Sequence, residues 1–170
     1  MKKMNFLLLI LLLTACQSGG SNTSSGSNTD KDKKEFEEKT TITLIQGDKE
    51  VTTKVIKDCW AKNCTEQSAG FENVNLVEMT NRIQPTKVAV DNDIKIEVDG
   101  PKPSKMSYIV QQMELHGESA SIEDHSLESN KIPLHEEGAK KHYLLTAIWY
   151  NGEEFIGSTS IAFVLKIGNE

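Results

Sequence analysis

Residues 143–167 read YLLTAIWYNGEEFIGSTSIAFVLKI, and this stretch decides the fold. Apolar side chains occupy both the odd and the even positions of 143–150, so we expect a strand that is buried on both faces at the centre of a sheet. Asn151-Gly152 follows directly and is the preferred pair for a type I′ hairpin turn. The return strand has apolar residues at a spacing of two, and Gly157 predicts a bulge or a bend within it.

The period of two continues upstream of this hairpin. Residues 65–85 fit either a short helix or a long loop, and the polar residues 116–131 predict a loop with at most one short edge strand. About seven to nine short strands and at most one short helix indicate an all-β fold, an antiparallel β-sandwich over residues 40–170. The other predicted strand segments are a hairpin over residues 40–56 and strands over residues 88–98 and 106–115.

The closing hairpin also carries a resemblance to a known class of domain. Its alternating run, Tyr143-x-Leu145-x-Ala147-x-Trp149 followed by Gly157, resembles the last strands of immunoglobulin-like domains in bacterial surface lipoproteins. The resemblance covers about 35 residues and implies an immunoglobulin-like sandwich. It implies a fold and no particular activity.

The N-terminus has the layout of an export signal. Lys2 and Lys3 precede an uninterrupted apolar run over residues 6–13. Eight residues of helix rise only about 12 Å, whereas the hydrocarbon of a bilayer is about 30 Å thick. We therefore expect residues 1–15 to be a signal peptide that is removed, rather than a permanent membrane span.

The end of this signal resembles the lipobox of bacterial lipoproteins, in the junction Leu13-Thr14-Ala15-Cys16. The resemblance implies cleavage before Cys16 and attachment of diacylglycerol to its thiol, which would anchor the chain on the extracytoplasmic face of the cell membrane. Residues 16–39 are polar and are expected to form a disordered tether. Lysine-rich and asparagine-rich usage with a long tether resembles lipoproteins of low-GC Gram-positive bacteria.

Charge and motif content exclude several functions. Removing Lys2 and Lys3 with the signal takes the formal net charge from −6 to −8, which offers no basic patch for nucleic acid. No glycine-rich phosphate loop implies a nucleotide or another cofactor, and no nucleophile motif such as Gly-x-Ser-x-Gly implies catalysis. We expect a protein that is not an enzyme and that binds a protein or cell-wall partner.

Cys59 and Cys64 form the only cysteine pair once Cys16 carries lipid. Outside the cytoplasm, such a pair predicts a structural disulfide that closes a short loop. Two free thiols, or redox or metal chemistry, remain alternatives, although four intervening residues do not fit the usual redox spacing. The pair is too close in sequence to join two sheets across a core, unlike the disulfide of antibody domains.

Two further features offer binding hypotheses. Trp60 lies inside the cysteine loop, where it could contact a partner or fold back to cap the end of the sandwich. Imidazole groups among acidic residues suggest a metal- or small-molecule site in segment 116–142 as the alternative function, although their spacing is irregular and solvated histidines explain them as well. The four histidines concerned are His116, His125, His135 and His142.

Overall fold

The computed structural model of the chain describes residues 40–60, 64–71, 73–113, 120–135 and 140–168. Two antiparallel sheets dominate these residues and confirm the all-β sandwich. No helix within them is long and apolar enough to cross a membrane. The elements in chain order are β1 (Thr41–Gln46), β2 (Lys49–Glu50), β3 (Thr53–Trp60), α1 (Glu66–Ala69), α2 (Leu76–Met79), β4 (Thr86–Val88), β5 (Ile94–Asp99), β6 (Lys105–Met113), β7 (Ala120–Leu127), β8 (Lys131–Ile132), β9 (Lys140–Asn151) and β10 (Glu154–Ile167).

The numbers of strands and of helices both differ from the prediction. Ten strands occur in the described residues instead of about seven to nine, because β2, β4 and β8 contain only two or three residues each. A period of two cannot be recognised over so short a length. Two helices occur instead of at most one. Each is a single turn with its own N-cap, since Thr65 accepts from the backbone of Ser68 and Asn75 accepts from the backbone of Glu78.

The strand order is that of an immunoglobulin-like sandwich. The smaller sheet has the order β2-β1-β5-β8, and the larger has β3-β10-β9-β6-β7, with β4 added to β10 as a parallel strand. From β5 to β10 the chain runs through the two sheets in the Greek-key order of strands B, C, C′, E, F and G of such domains. The larger sheet therefore ends at β7, which pairs with β6 alone among the described strands.

The closing hairpin forms as predicted, with one correction to its turn. Asn151 still pairs within the ladder, so the two central residues of the turn are Gly152 and Glu153. Gly152 has a φ of +61°, but the φ of Glu153 is not in the positive range, so the turn lacks the two left-handed residues that the predicted type I′ turn requires. The register between β9 and β10 shifts between Phe155 and Gly157, which confirms the predicted bulge.

The predicted hairpin over residues 40–56 is only half formed. Gly47, with a φ of +63°, makes the turn between β1 and β2. The backbone N–H of Val51 still donates to the carbonyl oxygen of Leu44 at 2.8 Å, but from Thr53 onward the chain pairs with β10 in the other sheet. A period of two is the same in either sheet, so the sequence could not show where the strand changes partner.

Two apolar clusters bury both faces of the larger sheet. One fills the space between the sheets and includes Trp149 and Phe163, with 1% and 0% of their surfaces exposed. The other lies on the outer face, where the segment around α2 covers β9 and β10. This double burial confirms the central position predicted for residues 143–150. The buried members of the outer cluster are Leu76, Ile83, Leu144, Ala162 and Val164.

Candidate binding face

Strand β7 lies at the edge of the larger sheet, beyond the cover of the smaller sheet. Every side chain from Ser121 to Leu127 is exposed or half-buried. Pairing with β6 sets Tyr108 opposite His125, and Tyr108 belongs to the core between the sheets. The odd-numbered residues of β7 therefore point toward the inner face, and the even-numbered ones point toward the outer face. Two clefts open along the inner side.

The first opening is a polar cleft of about 140 Å³ beside His125. The His125 ring stacks on Tyr108 at 4.7 Å between centroids, and its Nε2 lies 3.1 Å from a carboxylate oxygen of Glu123. Burial, and then the negative charge of Glu123, raise the pKa of the Tyr108 hydroxyl, which therefore stays protonated. His135 and Lys141 also line this cleft. Its groups can hold a polar or cationic side chain against Glu123.

The second opening is an apolar groove of about 600 Å³ between β5 and the β6–β7 pair. This volume lies within the range of pockets that bind small molecules or side chains. Polar residues, among them Lys102 and Glu128, line the groove as well. Its apolar walls come from Ile96, Val98, Met106 and Leu127. We call β7, the polar cleft and the apolar groove together the β7 face.

The structure separates the histidines of the predicted metal site. His125 and His135 line the polar cleft, whereas His142 lies in β9 with 4% of its surface exposed. His116 lies outside the described residues. In the described ranges, no three His, Cys, Asp or Glu side chains are close enough together to hold a metal ion.

His142 makes a structural connection between β9 and the segment after α2. Its Nδ1 lies 2.5 Å from the Thr80 hydroxyl oxygen, and that hydroxyl donates to the carbonyl oxygen of Leu76 at 2.6 Å. Because the hydroxyl proton is used in this way, the Thr80 oxygen is left to accept from Nδ1–H. Burial, and then the nearby charge of Lys140, lower the pKa of His142. The ring is therefore neutral near pH 7.

The cysteine pair fastens the end of β3 to α1. The Cα atoms of Cys59 and Cys64 are 5.6 Å apart, which fits the predicted disulfide. The Ser68 hydroxyl of α1 lies 3.2 Å from the Cys64 sulfur and 3.9 Å from the Cys59 sulfur. Residues 61–63 of the loop lie outside the described residues.

Trp60 packs back onto the sandwich. Its ring centroid lies 5.0 Å from that of Trp149, and the ring covers Gly157 so closely that a Cβ atom there would overlap it. Its Nε1 donates to Asp58 at 2.7 Å, and the same carboxylate oxygen accepts from Thr159. This is the geometry that the capping alternative requires. A partner contact through Trp60 stays a prediction.

Sequence reasoning did not find the β7 face. It predicted a loop with at most one short edge strand for residues 116–131, whereas β7 is an eight-residue strand. Ser121, Glu123 and His125 on one face and Asp124 and Ser126 on the other are all polar, so the strand has no alternation of apolar and polar residues. Only pairing with β6 defines it as a strand.

Comparison with known proteins identifies no relative of this chain. No protein-family model, no curated protein and no solved structure matches the chain. The interpretation of the β7 face therefore depends on its own residues.

Proposed function

We propose that this chain is a lipid-anchored, extracytoplasmic binding module without catalytic activity, which holds a protein or cell-envelope partner at the β7 face. Its lipobox supports the anchor, because a charged start, a short apolar run and two small residues precede Cys16 in the required order. The formal charge of −8 after cleavage would repel anionic headgroups, so the lipid would have to hold the chain at the membrane.

One observation carries the binding role, namely the exposed edge of β7 with an opening at each end of its inner side. Folded domains bind extended peptides along exposed strand edges and bind ligands in concave clefts. The two surfaces are contiguous here, because Glu123 and His125 line the polar cleft while Leu127 of the same strand lines the apolar groove.

The anchor is tested by Cys16→Ala in the full chain. We expect the unaltered protein to incorporate an alkyne-labelled fatty acid and to sediment with membranes. The variant should lose both properties. A variant that still incorporates the label would show that the lipid is not attached to Cys16 and would refute the proposed anchor.

The binding face is tested by photo-crosslinking in living cells. A photoreactive amino acid at Ile122, which is 54% exposed on β7, should give one discrete adduct. Val55 is the matched control, because it is 58% exposed on the edge strand β3 at the other end of the same sheet. Equal adducts from both positions, or none from Ile122, would refute the assignment of the β7 face.

The alternative is a metal- or small-molecule-binding lipoprotein, and the polar cleft with His125 and His135 is the observation that favours it. Thermal melts with zinc, copper, calcium and chelator distinguish the two functions, because a ligand of the folded state raises its melting temperature. A rise that disappears when His125 and His135 are both replaced by Gln would favour the alternative.

A further inference from the structure

The four ends of the two sheets differ in how well they are protected against pairing. The smaller sheet ends in β2 and β8, which have two residues each. The β3 end carries Lys54 and Lys57 and a register irregularity against β10. Short length, lysines and bulges are the usual devices that prevent a strand from adding to an edge. Three of the four sheet ends therefore have such a device.

Strand β7 lacks these three devices, and the charges it carries are the carboxylates of Glu123 and Asp124. It runs for eight residues with an unbroken register against β6, from Met106 opposite Leu127 to Met113 opposite Ala120. It contains no lysine, arginine or proline. No other strand of the described ranges pairs with its free edge. A strand of this length offers about 26 Å of edge to an added chain.

Charge decides which chain this edge can accept. Glu123 and Asp124 place one carboxylate on each face of β7, and Glu128 follows directly after the strand. A second copy of the same strand would bring carboxylates of both copies close together in the ladder, which is unfavourable. A strand that carries Lys or Arg would instead pair with them. The carboxylates of the strand itself therefore disfavour self-association and favour a basic partner, whereas Lys141 in the polar cleft and Lys102 and Lys105 in the groove lie behind the strand.

The polar cleft and the apolar groove restrict which side chains an added strand can carry. Glu123 lines the polar cleft and Leu127 lines the apolar groove, and both residues lie on the inner side of β7. They are four residues apart, so two side chains of an added strand, also four apart, would reach the two openings. On the outer face, Ile122 is 54% exposed and provides an apolar contact.

Resting on the proposed function, we infer that β7 accepts an extended basic segment of its protein partner as an additional strand of the larger sheet. Backbone hydrogen bonds would hold the segment to the free edge of β7. A Lys or Arg side chain would lie against Glu123, and an apolar side chain four residues away would enter the groove beside Leu127.

Synthetic peptides test this inference on the full chain purified from membranes in detergent. The probe is a ten-residue peptide with a lysine and a leucine four positions apart among threonines and valines. One control has glutamate in place of lysine, and another has N-methyl groups on alternate residues, which block one backbone edge. We expect about tenfold weaker binding of each control by fluorescence anisotropy. Hydrogen exchange should slow in the backbone amides of β7.

Matched variants test whether the peptide binds at β7. Glu123→Lys should weaken binding of the basic peptide by about tenfold, whereas Glu50→Lys on the short edge strand β2 should change it by less than about twofold. Glu123→Gln, which removes the charge without reversing it, is the second variant should Glu123→Lys fail to fold, and it should weaken binding in the same direction. Equal binding of the N-methylated peptide, equal effects of both lysine variants, or protection outside β7 would overturn the inference.

The proposed binding face and the inference of strand addition can be refuted separately. An adduct specific to Ile122 together with no binding of basic peptides would overturn strand addition and leave the proposed binding face in place. No specific adduct and no peptide binding would overturn both. An adduct with a partner whose contact segment is acidic or helical would also refute the inference while supporting the face.

Discussion

Replacing Gly157 with Ala tests whether Trp60 belongs to the fold. A Cβ atom at this position would overlap the Trp60 ring and lie 2.8 Å from the carbonyl oxygen of Cys59. The φ of Gly157 is not in the positive range, so the backbone itself accepts alanine and the cost comes from the two contacts. Overpacking costs about 1–3 kcal/mol, and loss of the contact between Trp60 and Trp149 adds about 0.5–1.5 kcal/mol.

The two contributions sum to about 1.5–4.5 kcal/mol, and we expect Gly157→Ala to lower the free energy of unfolding by about 2–3 kcal/mol, near the middle of that range. In a domain of this size, the melting temperature should fall by roughly 6–12 °C. Urea unfolding followed by circular dichroism and tryptophan fluorescence measures the first quantity, and a thermal scan measures the second. Gly168→Ala is the matched control, because a Cβ atom there meets nothing within 4 Å, and its effect should stay within about 0.5 kcal/mol.

A second variant isolates the contribution of Trp60. In a Trp60→Leu background, Gly157→Ala should cost about 1 kcal/mol less than in the unaltered chain, and the difference is the coupling between the two positions. Some cost should remain, because the Cys59 carbonyl oxygen is still close. Should Gly157→Ala prove neutral and uncoupled, Trp60 would not cover Gly157, and its role as a partner contact would gain support.

Three further changes test other parts of the structure. The pKa of buried His142 is lowered from 6.5, so the unfolded chain binds more protons than the folded chain below that pH. The free energy of unfolding should therefore fall on acidification below about pH 6.5. In urea melts at several pH values, His142→Gln should flatten this dependence on pH. Joint replacement of Cys59 and Cys64 by Ser should cost about 2 kcal/mol and remove the sensitivity of the melt to reductant, because the closed loop is short. Gln46→Leu should cost about 2–3 kcal/mol in the same assay, since the Gln46 amide makes three hydrogen bonds, of 2.6 to 2.8 Å, to backbone groups within residues 89–92. A pH dependence that His142→Gln leaves unchanged would contradict the first argument. A melting temperature that the cysteine replacements leave unchanged would contradict the second, and a Gln46→Leu variant as stable as the unaltered chain would contradict the third.

The core of this fold could be predicted from sequence because its strands carry their own signal. Residues 143–150 are apolar at both odd and even positions, and only a strand covered on both sides can bury such a pattern. The bulge at Gly157 could also be predicted, since a glycine inside a strand marks a local irregularity. The turn type could not, because its assignment depends on which residue ends the ladder. Asn151 remains paired, and this moves the turn by one residue.

The candidate binding face could not be predicted, and the reason is physical. A strand that buries no face has no hydrophobic period, so β7 resembles a polar loop in sequence. The positions of the histidines in the fold could not be predicted for a similar reason. Residues close in sequence were grouped as one site, but His142 lies on a buried strand, while His125 on β7 and His135 after β8 line one cleft because β6 pairs with β7 in one sheet and β5 pairs with β8 in the other. These pairings are a property of the tertiary structure.

Strand β7, which buries little of its surface, is also the strand where recognition and stability are easiest to separate. Side chains of β9 and β10 fill two cores, so a charged substitution there would leave an unpaired charge in an apolar environment. Apart from half-buried His125 and Leu127, the side chains of residues 121–127 lie outside both cores. Charge reversal at Glu123 or Asp124 should therefore change folding stability by less than about 0.5 kcal/mol. Any large effect of these variants on binding would then report on the edge of β7 itself, rather than on the integrity of the sandwich.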